Sequence, residues 1–404
     1  MLSRVLERVR TAPENAPPNF RRDFSVLEGC LGHSSSVRMT RVHDTRRRGK
    51  LCNVDWNSSG DRLVYGARDC AYIMNPQAMV AETSIPGTWC RAVPSKRNPS
   101  HVICVSLNKP CMEFYDLRSG ATHFDIVTPN DSFVNFAWSY DDKTVVTGDK
   151  IDNLYAIDLR FPKRAKVPIP KCDPSDINGT SFEAIRERDF PYYVQSHRRS
   201  IDEINDITFS SDNKHLILAR NDGRLEIISL ENPVDILNKN PSELIRLHLF
   251  STSVLKESSG LLASFGQDQV LSLFDISSKS IVSTLGGIDG LASSIEFNHT
   301  SEIISTSVSP EKRTGDDQND TLILSDSELK TLSRFDIPGR MASSSWHPYR
   351  QILALGCNPL DYNRSNNTSD SNSGANASSI HSNKIPSSAL NGPNIPFLGF
   401  LTIE

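Results

Sequence analysis

The 404-residue sequence lacks the features that mark several classes of protein. No apolar run approaches the roughly 20 residues that a membrane-spanning helix needs. The basic N-terminus, MLSRVLERVR, has no continuous apolar stretch of the kind found in secretory signals. The eight cysteines include no CxxC pair, and none has a histidine at zinc-finger spacing. We therefore expect reduced cysteines in a nuclear or cytosolic protein, several of them serving as small core residues.

Catalytic motifs are also missing from the sequence. It has no GxxxxGK[ST] phosphate loop, no GxGxxG after a strand, no HExxH and no GxSxG. With 44 basic and 48 acidic side chains, the overall charge favours neither a dedicated nucleic-acid binder nor a membrane binder. We expect a protein that is not an enzyme and that needs no cofactor or metal.

The sequence instead repeats one phrase of short apolar runs separated by polar turns. Residues 134–160, VNFAWSYDDKTVVTGDKIDNLYAIDLR, show the phrase in full. Seven copies align on one landmark each, and these landmarks are Trp56, Val93, Trp138, Phe209, Phe250, Phe297 and Trp346. The steps between them are 37, 45, 71, 41, 47 and 49 residues. Most are near the ~40–45 residues of a four-stranded propeller blade, and the step of 71 contains a polar stretch, 161–200, that we interpret as an insertion.

Each copy predicts three or four short strands joined by turns. The runs are rich in Val, Ile, Leu, Phe and Tyr, and the turns in Ser, Asn, Asp and Gly. A blade cannot bury both of its faces alone, whereas a closed ring of blades buries them and leaves only short edges. The predicted fold class is therefore all-β, a seven-bladed β-propeller over residues 35–404. Two β-sandwiches are the alternative, but sandwiches do not need seven copies of one phrase.

The two ends of the chain are expected to meet in the last blade. The sequence ends on a strand pattern, FLGFLTI, and an alternating run, SSVRMTRV, precedes the first copy at 35–42. We predict that Val37, Met39 and Arg41 pair beside the C-terminal blade. Residues 1–34 are predicted to be a flexible N-terminal arm. The Asn/Ser-rich residues 361–394 are predicted to be a disordered loop in the last blade, because they cannot bury enough apolar surface to offset the entropy of ordering.

Some polar residues recur at equivalent places in the copies. Asp69, Asp152, Asp222 and Asp268 lie in corresponding turns of four copies. A ring of carboxylates around a metal ion in the channel is one interpretation. We favour structural turn residues, each capping its own turn through backbone N–H groups, because repetition in several blades is what a fold requires. His347, between Trp346 and Pro348, is likewise assigned a structural role.

Three basic clusters are candidate contacts with a partner or with RNA. They comprise Arg46, Arg47, Arg48 and Lys50, then Arg160, Lys163, Arg164 and Lys166, and finally Arg198 and Arg199. Aromatic residues lie in or near the last two clusters. Basic and aromatic side chains on loops can hold a single strand by phosphate attraction and base stacking, and they can also hold an acidic protein. A plain solvated surface is the alternative for each cluster.

The order of the copies resembles a known family. The segments NVDWNSSGDRLVYGARD, FAWSYDDKTVVTGDKIDNLYAIDLR, EINDITFSSDNKHLILARNDGRLEII, LLASFGQDQVLSLFDI and SSWHPYRQILALGC follow one another here. They resemble blades of the WD-repeat subunit of the THO complex, its subunit 3, in the same order over roughly residues 30–404. The Trp-Asp ending of a WD repeat appears only as Tyr115-Asp116, Ile157-Asp158 and Phe274-Asp275.

The resemblance implies a propeller of the WD-repeat type and a nuclear, non-enzymatic scaffold or adaptor. Such a subunit belongs to the THO/TREX assembly, which couples transcription elongation and mRNP assembly to mRNA export. The implied partners are other THO subunits, including a large helical scaffold subunit, with the TREX helicase and adaptor contacted indirectly, a weak RNA contact and no membrane. The alternatives are another WD-repeat scaffold, in chromatin or ribosome assembly, and an enzyme propeller with a carboxylate-bound metal in its channel.

Overall fold

The computed structural model describes residues 37–42, 50–78, 80–106, 111–127, 133–150, 152–160, 193–199, 202–231, 237, 242–311, 319–337, 339–359 and 397–403. Regular structure in these ranges is entirely β-strand, and the 28 strands are numbered in chain order. None of these ranges contains a helix with the length and apolarity needed to cross a membrane. The predicted arm, residues 1–34, and the predicted loop, residues 361–394, lie outside the described residues.

Six four-stranded antiparallel sheets follow one another along the chain, and each sheet pairs its strands in sequence order. Blade 1 contains β2 (Leu51–Trp56), β3 (Leu63–Ala67), β4 (Cys70–Asn75) and β5 (Val80–Pro86); blade 2 contains β6 (Trp89–Pro94), β7 (His101–Ser106), β8 (Cys111–Asp116) and β9 (Ala121–Val127); blade 3 contains β10 (Phe133–Trp138), β11 (Thr144–Asp149), β12 (Asn153–Asp158) and β13 (Tyr193–Arg199). Blade 4 contains β14 (Ile204–Phe209), β15 (His215–Arg220), β16 (Arg224–Ser229) and β17 (Ser242–Arg246); blade 5 contains β18 (Thr252–Ser258), β19 (Leu261–Gly266), β20 (Leu271–Asp275) and β21 (Ser280–Leu285); blade 6 contains β22 (Leu291–Phe297), β23 (Ile303–Ser309), β24 (Asp320–Asp326) and β25 (Thr331–Ile337).

Blade 7 joins the two ends of the chain. Its strands are β26 (Arg340–Trp346), β27 (Ile352–Asn358), β28 (Phe397–Ile403) and, on the outside, β1 (Val37–Val42). β1 runs antiparallel to β28, with Val37 opposite Ile403, Met39 opposite Leu401 and Arg41 opposite Gly399. The predicted closure is therefore confirmed, and the ring is a seven-bladed β-propeller, as the period of the sequence predicts.

The hydrophobic core lies between the blades. In β3, Val64 packs against residues of blade 2, such as Trp89, whereas Leu63 packs against blade 7, at Leu398 and Phe400. Successive side chains of a strand point to opposite faces of its sheet, so each neighbour receives every second residue. This explains why the second strands of the blades read as nearly continuous apolar runs.

Two sequence landmarks are wrong. In blade 2 the position equivalent to Trp56 is Pro94, one residue after Val93. Phe250 precedes β18 and is 61% exposed, while the position equivalent to Trp56 at the end of the innermost strand of blade 5 is Glu257. Glu257 is buried, and its carboxylate accepts hydrogen bonds from the backbone N–H groups of Ser211 (2.7 Å) and Gly260 (2.8 Å). A search for apolar landmarks therefore selected the nearest aromatic residue, because the true position holds a charged side chain.

The predicted insertion at 161–200 is too long. Tyr193–Arg199 forms β13, which pairs with β12 and is the outer strand of blade 3. Residues 161–192 and 200 lie outside the described residues.

The direction of the strands defines two faces of the ring. Because pairing within a blade is antiparallel, the innermost strands all begin on one face, which also carries the turns between second and third strands and the connections between blades. We call this the upper face. The lower face carries the turns between first and second strands and between third and fourth strands.

The closure predicts a measurable loss of stability. A chain that lacks residues 1–45 has no β1, so the backbone groups of β28 that bond to it become unpaired. We expect the melting temperature to fall by at least about 5 °C, or cooperative unfolding to disappear. A chain that starts at residue 35 keeps β1 and is the control. Equal melting temperatures for the two chains would contradict the closure.

Candidate functional site

Polar side chains tie the innermost strands of neighbouring blades together. The shared feature is a polar residue three positions before the end of that strand, whose side chain bonds to the backbone of the next blade. The bonds are Asn53 Nδ2 to Ala92 O (2.9 Å), Ala92 N to Asn53 Oδ1 (2.8 Å), Leu255 N to Asp206 Oδ2 (2.9 Å) and Val54 N to Ser343 Oγ (2.7 Å). Backbone groups at a junction lie where one ladder ends, so these side chains supply the missing partners.

Of these joining residues, Asp206 has an ionisable side chain. Burial raises the pKa of Asp206, and the charge of Arg91 opposes the shift without cancelling it. The side chain remains fixed between blades 4 and 5 because Oδ1 also accepts the N–H of Ile207 at 2.9 Å. Asp206 therefore helps to hold blades 4 and 5 together.

A charged cluster lines the lower part of the central channel. Lys256 of blade 5 lies 2.7 Å from Glu296 of blade 6, and their side chains keep 29% and 19% exposure. Burial raises the pKa of Glu296, and Lys256 offsets this only in part. Desolvation lowers the pKa of Lys256, but Glu296, Tyr140 and Asp55 outweigh it, so the pKa lies above its ordinary value. The ammonium group is therefore held charged between carboxylates from two blades.

A second ion pair crosses the same region, from Lys96 to Asp55 at 3.6 Å, and Asp55 Oδ1 accepts the hydroxyl of Ser345 at 2.8 Å. These side chains thus neutralise one another across blade junctions. Among the residues with a described structure, no group of His, Cys, Asp and Glu has an arrangement suited to a metal ion. The observed contacts hold neighbouring blades together.

The four predicted turn aspartates all lie on the upper face, between second and third strands. Asp222 Oδ1 accepts the N–H of Arg224 at 3.0 Å, and Asp268 Oδ1 accepts that of Val270 at 3.3 Å. These two residues cap their own turns in the predicted way. They are supplied by different blades, and each is engaged in its own turn.

The other two aspartates have different partners. Asp69 Oδ2 accepts the hydroxyl of Tyr72 at 3.2 Å, and Asp152 Oδ1 accepts the N–H of Ile204, at the start of blade 4, at 3.2 Å. The interpretation as caps of their own turns needs correction for these residues. Asp152 has a left-handed φ of 63°, and its bond to Ile204 connects this turn to the next blade.

His347 joins blade 7 to blade 1. Its Nε2 lies 3.0 Å from the carbonyl oxygen of Gly60, so Nε2 carries the hydrogen, and Nδ1 accepts the N–H of Tyr349 at 3.0 Å. The ring meets Trp56 edge-on, with centroids 4.7 Å apart. Burial is the main cause that lowers the pKa of His347 to about 4. The histidine is therefore a neutral structural residue, in agreement with the role assigned from the sequence.

The predicted basic residues that the structure describes lie on two faces of the ring. Lys50 precedes β2 on the upper face, whereas Arg160 follows β12 on the lower face and pairs with Asp158 at 2.5 Å. Arg198 and Arg199 lie in β13, opposite Leu154 and Asn153 towards the upper face. The remaining members, Arg46, Arg47, Arg48, Lys163, Arg164 and Lys166, lie outside the described residues.

The sequence did not single out the most exposed apolar side chains as a site. Leu249 and Phe250 are 74% and 61% exposed, on the connection between blades 4 and 5. We call residues 247–251 the 247–251 loop. Its backbone is fixed because the N–H groups of Leu247 and His248 donate to Gly223 O at 3.2 and 3.1 Å. The sequence pattern makes Phe250 the landmark of the fifth copy, since exposure cannot be read from residue type.

In five blades the third strand ends in a capping side chain. A carboxylate or amide at the last position accepts the N–H two residues ahead: Asn75 from Gln77 (3.0 Å), Asp116 from Arg118 (3.0 Å), Asp158 from Arg160 (2.9 Å), Asp275 from Ser277 (2.8 Å) and Asp326 from Glu328 (2.9 Å). The Asp of the three Trp-Asp-like endings therefore holds the turn to the outer strand. Asn75 and Asp326 do the same in two blades whose endings the sequence did not reveal.

Comparison with solved structures agrees with this architecture. No family model matches the chain. The β-propeller domain of Cps50 (Swd1) from Myceliophteria thermophila aligns with a TM-score of 0.61 and 15% identity, over 80% of this chain and 96% of that one. A chain of the mitotic checkpoint complex aligns with a TM-score of 0.57 and 14% identity, over 86% and 93% of the two chains. At these identities the likeness shows the fold alone, a β-propeller.

The neutral state of His347 predicts a pH dependence of stability. The folded pKa of about 4 is below the ordinary 6.5, so the unfolded chain binds more protons between these values. The stabilisation is complete above pH 6.5 and is lost as the pH falls towards 4. We expect about 2 kcal/mol less stability at pH 5 than at pH 7 from this residue. Blades 1 and 6 carry asparagine at the position of His347, as Asn57 and Asn298. We therefore choose His347→Asn, and we expect it to remove this contribution to the pH dependence of stability. Equal pH dependence in denaturant titrations of the two proteins would contradict it.

Two Lys–Glu pairs between blades allow a matched test of the channel. Lys256–Glu296 lies in the channel, whereas Lys279–Glu243 lies on the outside with 55% and 52% exposure. Lys256→Met leaves enclosed carboxylates without their cation, and we expect a loss of about 1–3 kcal/mol in the free energy of unfolding. Lys279→Met is expected to cost less than about 0.5 kcal/mol. Chemical denaturation measures both, and similar losses would refute the structural role of the channel pair.

Proposed function

We propose that this protein is a non-enzymatic scaffold subunit that binds other proteins through loops fixed on its propeller. The observation that carries this proposal is the 247–251 loop, which holds two apolar side chains in water on a rigid frame. Binding residues commonly lie on loops that a rigid scaffold positions. One of the similar solved structures is a chain of a multi-protein complex, which supports the same general role.

The proposed assembly is the THO complex within TREX. The support for it is the ordered series of blade segments, from NVDWNSSGDRLVYGARD to SSWHPYRQILALGC, which resembles the WD-repeat subunit of that complex. In this role the protein is nuclear and helps to couple transcription elongation and mRNP assembly to mRNA export. Its direct partners are other THO subunits, among them a large helical scaffold subunit. The TREX helicase and adaptor are contacted indirectly, and contact with RNA is weak.

Affinity purification of the tagged full-length protein from nuclear extract tests this function. We expect the subunits of the THO complex to co-purify in fixed proportion. A chain that lacks residues 1–45 is the control for proteins that bind an unclosed propeller. Recovery of the chain alone, or with cytoplasmic coat proteins, would contradict the THO assignment. Recovery with chromatin or ribosome-assembly factors would replace it with another scaffold role.

A further inference from the structure

The two apolar side chains of the 247–251 loop are neighbours in the sequence and share the upper face. Leu249 and Phe250 are the most exposed large hydrophobic side chains among the residues that the structure describes. Their backbone lies between the turn of blade 4 at Gly223 and the turn of blade 5 at Asp268. Water around adjacent apolar side chains is unfavourable, and a complementary apolar surface removes it.

The loop is already in a fixed conformation. Leu249 N donates to Asp268 Oδ2 at 2.9 Å, and the buried ring of His248 lies 3.0 Å from Asp268 Oδ1 and 2.9 Å from Ser264 Oγ. Ser251 is also held, since its carbonyl oxygen accepts the N–H of Gln267 at 2.8 Å. Ordering of flexible groups usually opposes association. Here the loop backbone is already hydrogen-bonded to both blades, so this cost falls mainly on the two exposed side chains.

Two glycines let the loop pack closely against the turns of blades 4 and 5. A Cβ atom at Gly223 would collide with the carbonyl oxygens of His248 and Phe250, and its φ of +82° favours glycine. A Cβ atom at Gly266 would lie 2.6 Å from the His248 ring. Glycines in two different blades therefore permit the close approach of the loop that carries Leu249 and Phe250. The pair forms a rigid projection.

The surroundings of the projection are acidic. Asp268 lies directly below it beside His248, and burial lowers the pKa of His248, so the ring is neutral near pH 7. On the blade 4 side, Arg224 pairs with Asp222 and Asp202, while Arg246 is exposed. On the blade 6 side, Gln269 donates to the exposed Glu311 at 3.3 Å.

One more acidic residue lies on the upper face. Asp289, in the connection to blade 6, is also exposed on this face. Charge of this sign attracts lysine and arginine side chains around an apolar contact.

We infer that Leu249 and Phe250 insert into an apolar cleft of a partner protein whose rim carries lysine or arginine side chains. This inference rests on the proposed scaffold function and names the contact through which it acts. Aromatic and aliphatic side chains at the centre of a contact carry most of its binding free energy, and the charged rim adds specificity.

Site-specific photocrosslinking identifies the occupant. Full-length tagged protein carrying p-benzoylphenylalanine in place of Phe250 is irradiated in nuclear extract, and the attached peptide is sequenced by mass spectrometry. We expect one peptide from another protein, with apolar residues beside lysines or arginines. Attachment to this chain's own segments, to a second copy, or to nothing would overturn the inference.

The partner identified by crosslinking is then purified, and its affinity for the full-length protein and its variants is measured. Phe250→Ala is expected to weaken binding by about 30-fold or more. Leu244→Ala is the matched control, because Leu244 is also exposed but lies on the outer strand β17, and it is expected to change binding less than about threefold. Higher salt is expected to weaken binding. Equal effects of the two variants, or no salt dependence, would refute the contact as described. Both variants are expected to keep the wild-type melting temperature, because the altered side chains are exposed.

The two proposals fail in different ways. If THO subunits co-purify but none attaches to position 250, the inference is wrong and the proposed assembly stands. If a basic and apolar peptide attaches but belongs to a different complex, the THO assignment is wrong and the contact stands.

Discussion

The structure depends on each blade being bound to its two neighbours, with no free end in the ring. Every second side chain of a middle strand packs on one neighbour and the rest pack on the other, as Val64 and Leu63 show in blade 1. Asn53, Asp206 and Ser343 add hydrogen bonds between innermost strands. The pairing of β1 with β28 extends this arrangement to the last blade. Because a blade cannot bury its faces alone, the loss of the contacts between two blades destabilises both of them.

Much of the fold could be predicted from the sequence because the constraint repeats. A blade needs the same apolar runs and turns each time, so the period and the closing strand VRMTRV were visible in the residues. Glu257 was not, because a buried carboxylate with backbone partners breaks the apolar pattern that defines the landmark. The predicted insertion in blade 3 was too long because β13, YVQSHRR, contains few apolar residues and was included in it.

The candidate site was less predictable for a related reason. Which face a residue occupies depends on the direction of its strand, and this separates Lys50 from Arg160, although both belong to basic segments. Leu249 and Phe250 have the composition of core residues, and only the packing of Gly223 and Asp268 against their backbone turns them outwards. Charged residues in the channel are neutralised across the blades, as in Lys256–Glu296, whereas these two apolar side chains remain exposed to water. The rigid ring thus supplies the frame, and the connections between blades supply the contacts.

Hydrogen exchange of the free full-length protein tests the central claim most directly, namely that a closed rigid ring holds an exposed apolar loop in one conformation. The account expects the amides of Leu247, His248 and Leu249 to exchange as slowly as those of the innermost strands β14 and β18, because their hydrogen bonds open only when the joint between blades 4 and 5 opens. Exchange of these three amides at the rate of an unstructured loop, while the strands stay protected, would contradict it.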